Sequence, residues 1–204
     1  MPVISPQRMQ DRRDSIVDAA RSAFVQSGFQ GASVADIARA AGVSDGLVYR
    51  YFASKRDLLN AILTEFYERT MADLETIAAL EAPFEDTLRA LIRRHLSAFL
   101  ADADLCRLFI AEVRTATDYR GSSVHTLNRR YTSILTRLIE AAVAGGQVRA
   151  DIEVRLVRDV IFGSVEHLAW AAANGRSLDV DRTADSLLSL ILHGLVHPAT
   201  GDRP

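Results

Sequence analysis

The chain has 204 residues, 49% hydrophobic and 25% charged, with a formal net charge of −2, the balance of an ordinary soluble globular protein. That length admits one large domain or a small one joined to a larger one. No apolar run approaches the ~18 residues that a membrane-spanning helix needs, and the first residues lack an apolar signal core. The single Cys106 excludes an intramolecular disulfide and fits a reducing cytoplasm. Charge is unevenly placed: residues 1–56 carry eight basic side chains against five acidic, a net of +3, which leaves −5 for the remainder. A basic N-terminal portion on an acidic body suits a DNA-contacting head.

Taken in order, residues 1–7 contain two prolines and lead to Arg8, Arg12 and Arg13. These arginines extend a phosphate footprint, reach a minor groove, or belong to a solvated tail. Ile16, Ala20, Ala23, Phe24 and Ser27 then recur at helical spacing, and Gly28 ends that helix. Ser33 is a good N-cap for a helix with Val34, Ile37, Ala38 and Ala41 on one face. Gly42 supplies the positive φ of a sharp turn. Ser44 caps a second short helix over 45–51, with Leu47, Val48 and Phe52 inward, and Ser54 opens the next. This is a helix-turn-helix, whose second helix is the candidate for a DNA major groove.

Ser44, Asp45, Gly46, Tyr49 and Arg50 lie on the side of that helix which the core does not claim. Gly46 lets the backbone approach a duplex closely. The hydroxyls of Ser44, Tyr49 and Tyr51 suit phosphates, which fix register without reading sequence. Arg50 suits either a guanine edge or a phosphate. Asp45 complements the helix N-terminus instead. Leu47 either packs inward or meets a thymine methyl. Lys55 is the chain's only lysine; in the first turn of a helix it adds a point charge where an anion is already favoured.

From residue 54 a long helix is predicted to about 80, followed by helices over 83–101 and 104–117, one that runs from the end of a 118–123 loop to 144, and two more over 153–173 and 180–196. Gly145-Gly146 and Asn174-Gly175 separate the last three. There is no repeat, low-complexity tract or convincing strand. The fold class is therefore all-α, with about nine helices: a helix-turn-helix DNA-binding domain over 1–55 and an effector-binding and dimerisation domain over 56–204. The last two helices are unusually apolar. Leu187, Leu190, Ile191 and Leu195, with small residues such as Gly163, Ser164 and Ala172, suit a four-helix interface between two copies.

Catalytic signals are weak. His193 and His197 have i, i+4 spacing but no glutamate between them, and they suit a helix C-terminus better than a metal. Glu166-His167 has no nucleophile in motif context. No phosphate-binding glycine loop, CxxC, GxSxG or diagnostic carboxylate pair is present, so neither an enzyme, a metal nor a cofactor is expected. Phe66, Tyr67, Phe99, Phe109, Phe162 and Trp170 are either plain core or the lining of an apolar slot between helices.

Residues 16–67 resemble the DNA-binding domain of the TetR (tetracycline-repressor-like) transcriptional regulators. Ile16, Ala19, Ala20, Phe24, Gly28, Ile37, Ala38, Ala41, Gly42, Val43, Ser44, Tyr49, Phe52, Lys55 and Leu58 carry the likeness. The resemblance implies a homodimeric, all-helical, ligand-responsive repressor on a palindromic double-stranded operator. It puts phosphate contacts on Ser33, Tyr49, Tyr51 and Lys55, and the recognition helix on 44–50. Further on, FIAEVR, RRYTSIL and RDVIFGSVEHLAW resemble the effector domain of TetR-type fatty-acid-degradation repressors, which answer to long-chain acyl-CoA. By that likeness the aromatics named above line the slot, and Arg107, Arg114, Arg129 and Arg130 meet CoA phosphates. Ala171–Ala173 follow Trp170 where bulkier apolar residues are expected, which bears on chain-length preference. The alternatives are an unrelated apolar or aromatic effector, or an acyl-CoA-binding enzyme or carrier with a vestigial helix-turn-helix.

Overall fold

The computed structural model describes residues 5–114 and 116–193, and among these every regular element is helical. The order is α1 (Pro6–Gly31), α2 (Val34–Ala40), α3 (Asp45–Tyr51), α4 (Lys55–Ala78), α5 (Phe84–Ala101), α6 (Ala103–Leu108), α7 (Ser123–Ala144), α8 (Val154–Ala173) and α9 (Val180–His193). The all-α expectation holds, and so does the number of helices among the described residues. The expected helix over 104–117 is instead α6 followed by a π-helical segment, Phe109–Arg114. Its wider i→i+5 winding is a local insertion that apolar spacing does not announce. No described helix is long and apolar enough to cross a membrane. Leu195 and His197 lie outside the described residues.

The chain divides into two compact units. One runs to Arg69 and adds Asp104–Arg129; the other takes Thr70–Ala103 and the chain from Arg130. In the first, Ser5 caps α1, Pro6 opens it, and Gly28 at φ 71° breaks its course. Ile16, Ala20 and Phe24 bury the inner face of α1, and Ile37, Ala38 and Val48 bury those of α2 and α3. Gly42 takes the left-handed φ of 66° that the turn between α2 and α3 requires. Tyr67 is buried and donates to Asn128 Oδ1 at 3.2 Å; burial pushes its phenol upward, with Tyr119 and Cys106 adding to the effect.

The second unit is built around α5, which buries Leu88, Leu91, Ile92, His95, Leu96 and Phe99 and packs against both α8 and α9. Ion pairs rim the α5–α9 contact, Arg89 with Asp185 at 3.2 Å and Arg93 with Asp181 at 2.5 Å. The inward residues of α9 are Ala184, Leu187 and Leu188.

Candidate nucleic-acid interface and effector pocket

The helix-turn-helix is held by its caps. Ser33 Oγ accepts from Asp36 N and Ser44 Oγ accepts from Leu47 N, at 3.1 and 3.3 Å. Such caps stabilise a short helix by about 1 kcal/mol each. Ser33 also donates its proton to Asp36 Oδ2 at 2.5 Å. With Arg39, it holds the Asp36 carboxyl below the usual range. On α3 the structure leaves Ser44, Asp45, Gly46, Tyr49 and Arg50 exposed together on one face. Leu47 and Tyr51 are half-buried at its edges, and Val48 is fully inward. One continuous face thus presents a flat aromatic hydroxyl, a guanidinium and an uncovered helix N-terminus.

Lys55, expected as a phosphate contact, is engaged here by the protein's own backbone. Its ammonium donates to the carbonyls of Phe29, Ala32 and Gln30 at 2.5, 3.0 and 3.3 Å, and it sits 4.6 Å from the Phe29 ring centre. Next to it, Arg56 donates to Glu112 O at 2.8 Å and Gln30 donates to Glu112 Oε2 at 3.1 Å. The end of α1, the start of α4 and the π-helical segment are therefore tied together.

The six aromatics expected to share one slot fall into two clusters and an outlier. In the first unit, Phe66, Tyr67 and Phe109 form a chain of edge-on contacts, 5.9 and 6.2 Å between centres, that continues to Tyr119 at 6.3 Å. In the second, Phe99 and Phe162 stand 4.7 and 4.6 Å from the His95 ring, and Tyr131 lies 5.4 Å from Phe162. Here Leu91, Ile134, Leu135, Ile161 and Phe162, with His95 and Tyr131, surround a cavity of about 20 Å³. Trp170 corrects the expectation: it is 42% exposed. The buried line of α8 is Ile161, Val165 and Ala169, and one further residue turns Trp170 about 100° away from it. Arg114, Arg129 and Arg130 are exposed, while Arg107 pairs with Asp104 one turn earlier on α6.

His95 and Tyr131 were not singled out by the sequence pattern, although a histidine in the 88, 91, 92, 95, 99 stripe of α5 is a detectable polar break in an apolar face. The ring of His95 is buried and bonded through Nδ1 to Tyr131 Oη. Its Nε2 is buried without a hydrogen-bond partner. Burial, aided by the Arg94 charge, lowers its pKa to about 3, so the ring is neutral at physiological pH.

For the face expected between copies, Leu187 is corrected: it is 8% exposed, on the α5 side of α9. Leu190 is 48% exposed and Ile191 half-buried. Of the outer line of α8 the sequence pattern named only Gly163 for this face, whereas Leu156, Val160, Gly163, His167 and Trp170 are all exposed at steps of four and three. That spacing is the signal which would have found it.

Residues 16–62 match the family of bacterial regulatory proteins, tetR family, and residues 81–195 match the tetracyclin repressor-like C-terminal domain. The chain is 30% identical to the HTH-type transcriptional repressor KstR2 of Rhodococcus jostii (strain RHA1), with 92% of each chain covered. It is 27% identical to the fatty acid metabolism regulator protein of Bacillus subtilis (strain 168), over 88% of this chain and 93% of that one. Among solved structures, the transcriptional regulator FadR from Bacillus subtilis in complex with stearoyl-CoA superposes with a TM-score of 0.81 at 26% identity, covering 90% of this chain and all of that one. With both its helix-turn-helix and its C-terminal helices matched, the chain belongs to the TetR family of bacterial transcriptional regulators.

Proposed function

We propose that this protein is a homodimeric repressor that holds a palindromic operator and releases it on binding a long-chain acyl-CoA. The observation that carries this reading is the full-length likeness to a regulator solved with stearoyl-CoA. The almost wholly apolar lining of the small cavity among α5, α7 and α8 suits an acyl chain chemically, and those side chains must part to admit one. Residues 1–55 act as the DNA-binding head and 56–204 as the effector-binding and dimerisation portion. In the head, α3 enters the major groove, with Tyr49 and Ser44 on phosphates and Arg50 on a phosphate or guanine edge. Tyr51 and Ser33 are contacts at the edge, and a Ser33 contact must compete with Asp36 for its proton. The acyl chain takes the slot beside Phe99 and Phe162, and exposed arginines meet the CoA phosphates. The protein works in the cytoplasm as a binding protein without catalysis of its own.

The test is to titrate the protein–operator complex with saturated acyl-CoAs of rising length, the matching free acids and CoA alone. Each buried CH₂ contributes about 0.8 kcal/mol, roughly fourfold in affinity, until the slot is full. Long acyl-CoAs should release DNA, free acids only weakly, and CoA not at all. If only an unrelated aromatic compound releases the operator, the acyl-CoA assignment fails and the regulator stands.

A further inference from the structure

The cavity in the second unit is lined almost wholly by carbon, with His95 and Tyr131 as the residues in its wall that carry polar atoms. Leu91, Ile134, Leu135, Ile161 and Phe162 contribute only carbon to its wall. His95 contributes a ring whose Nδ1 is engaged by Tyr131 Oη and whose Nε2 is buried and unpartnered. A buried polar atom without a partner costs free energy, which a site recovers only when something pairs with it. A neutral imidazole has one N–H and one lone pair. The phenol of Tyr131 is the more acidic donor, so it donates to Nδ1 and leaves the proton on Nε2. The unpaired position is thus an N–H donor buried beside a hydrocarbon-lined cavity. A lone water fits the space of about 20 Å³ but finds only His95 and Tyr131 as polar neighbours, fewer than the ~3 partners that buried waters usually have. An oxygen attached to a carbon body satisfies Nε2 and the apolar walls at once.

We infer that His95 selects effectors whose apolar body carries an oxygen acceptor, an oxo or hydroxy acyl group, over plain hydrocarbon chains. The inference rests on the acyl-CoA reading above and narrows it. The surrounding apolar side chains must part to admit both the oxygen and the chain, since about 20 Å³ holds one small atom and not an alkyl segment. Tyr131 acts as a positioning residue: its bond to Nδ1 fixes which nitrogen carries the proton.

The experiment compares stearoyl-CoA with a positional series of oxo-stearoyl-CoA isomers, reading release of operator DNA. In the wild type, the isomer whose ketone reaches the depth of His95 should act at a concentration roughly tenfold lower than stearoyl-CoA, because the saturated chain leaves Nε2 unpaired. His95→Phe keeps an aromatic ring without the donor and should abolish that preference while leaving operator binding without effector unchanged. His95→Gln retains an N–H donor near the Nε2 position and should restore part of it. Tyr131→Phe should weaken the preference without removing response to stearoyl-CoA. Should His95→Phe not fold, the wild-type series and His95→Gln still decide. Equal potency of stearoyl-CoA and every isomer overturns the selection while the acyl-CoA reading stands. Failure of all of them to release DNA overturns both.

Discussion

An ammonium group has three N–H donors and no acceptor, and Lys55 directs all three at the carbonyls of Phe29, Gln30 and Ala32. Charge-assisted bonds of this kind contribute about 1.5–3 kcal/mol when well enclosed, and less here because the side chain is half-exposed. Lys55→Ala should therefore lower the melting temperature of the protein while the log–log salt slope of operator binding stays the same. A slope reduced by about 0.9 with unchanged melting would instead make Lys55 a phosphate contact. The caps Ser33 and Ser44 and the turn at Gly42 were legible in the sequence because their partners sit within three residues. The partners of Lys55 lie 23 to 26 residues away, and no local pattern encodes them. His95 supplies a second test. Its folded pKa of about 3 lies below the ordinary 6.5. Between those values the unfolded chain binds a proton that the folded chain does not. This contribution is complete above about pH 6.5 and is lost as pH falls toward 3, with a slope of at most about 1.4 kcal/mol per pH unit. Urea midpoints followed downward from pH 7 should fall more steeply for the wild type than for His95→Phe. Parallel curves would mean that His95 does not stay neutral on folding.

At the scale of elements, two helices with similar apolar content have different tasks. On α9 the inward residues are Ala184, Leu187 and Leu188, pressed on α5, so Leu187→Glu should destabilise the fold by several kcal/mol, the range of a buried uncompensated charge. Leu190 is 48% exposed, so the same substitution there should leave the fold intact and disturb only association. On α8 the exposed line of Leu156, Val160, Gly163, His167 and Trp170 repeats in steps of four and three, a seam suited to a second helix. Val160→Glu should yield a folded monomer with operator affinity much below wild type, because paired half-sites need both heads. A dimer of unchanged mass by light scattering would place the interface off α8. Composition marked both helices as doubly apolar, but it did not say which leucine faced which way. Orientation follows from what α5 covers, and that is a property of the packed unit. The π-helical segment Phe109–Arg114 was hidden for a related reason: its winding shifts the phase of the side chains without changing their composition.

For the whole molecule, the order of helices and the helix-turn-helix were readable because each rests on contacts near in sequence. The compact units were not, since each gathers two separate stretches of chain. Two long helices run through both: α4 passes from the first unit to the second between Arg69 and Thr70, and α7 between Arg129 and Arg130. A regulator that releases DNA on binding an effector needs the two ligands to prefer different states of the same molecule. Linkage then makes the penalty mutual, so saturating effector and saturating operator must weaken each other by one factor. Factors of roughly 5–150 correspond to coupling of about 1–3 kcal/mol. A stiff α4 offers one continuous route for such a preference to pass along the chain, and α7 offers the other. Glu68 is exposed on α4 next to the point where it passes from one unit to the other, and glycine there costs a helix about 1 kcal/mol while touching neither proposed site. Glu68→Gly should leave operator affinity without effector, and effector affinity without operator, within about twofold of wild type. The coupling factor between them should fall severalfold, measured by titrating each ligand with and without the other. A coupling factor equal to wild type would take α4 out of the communication between the two ligands.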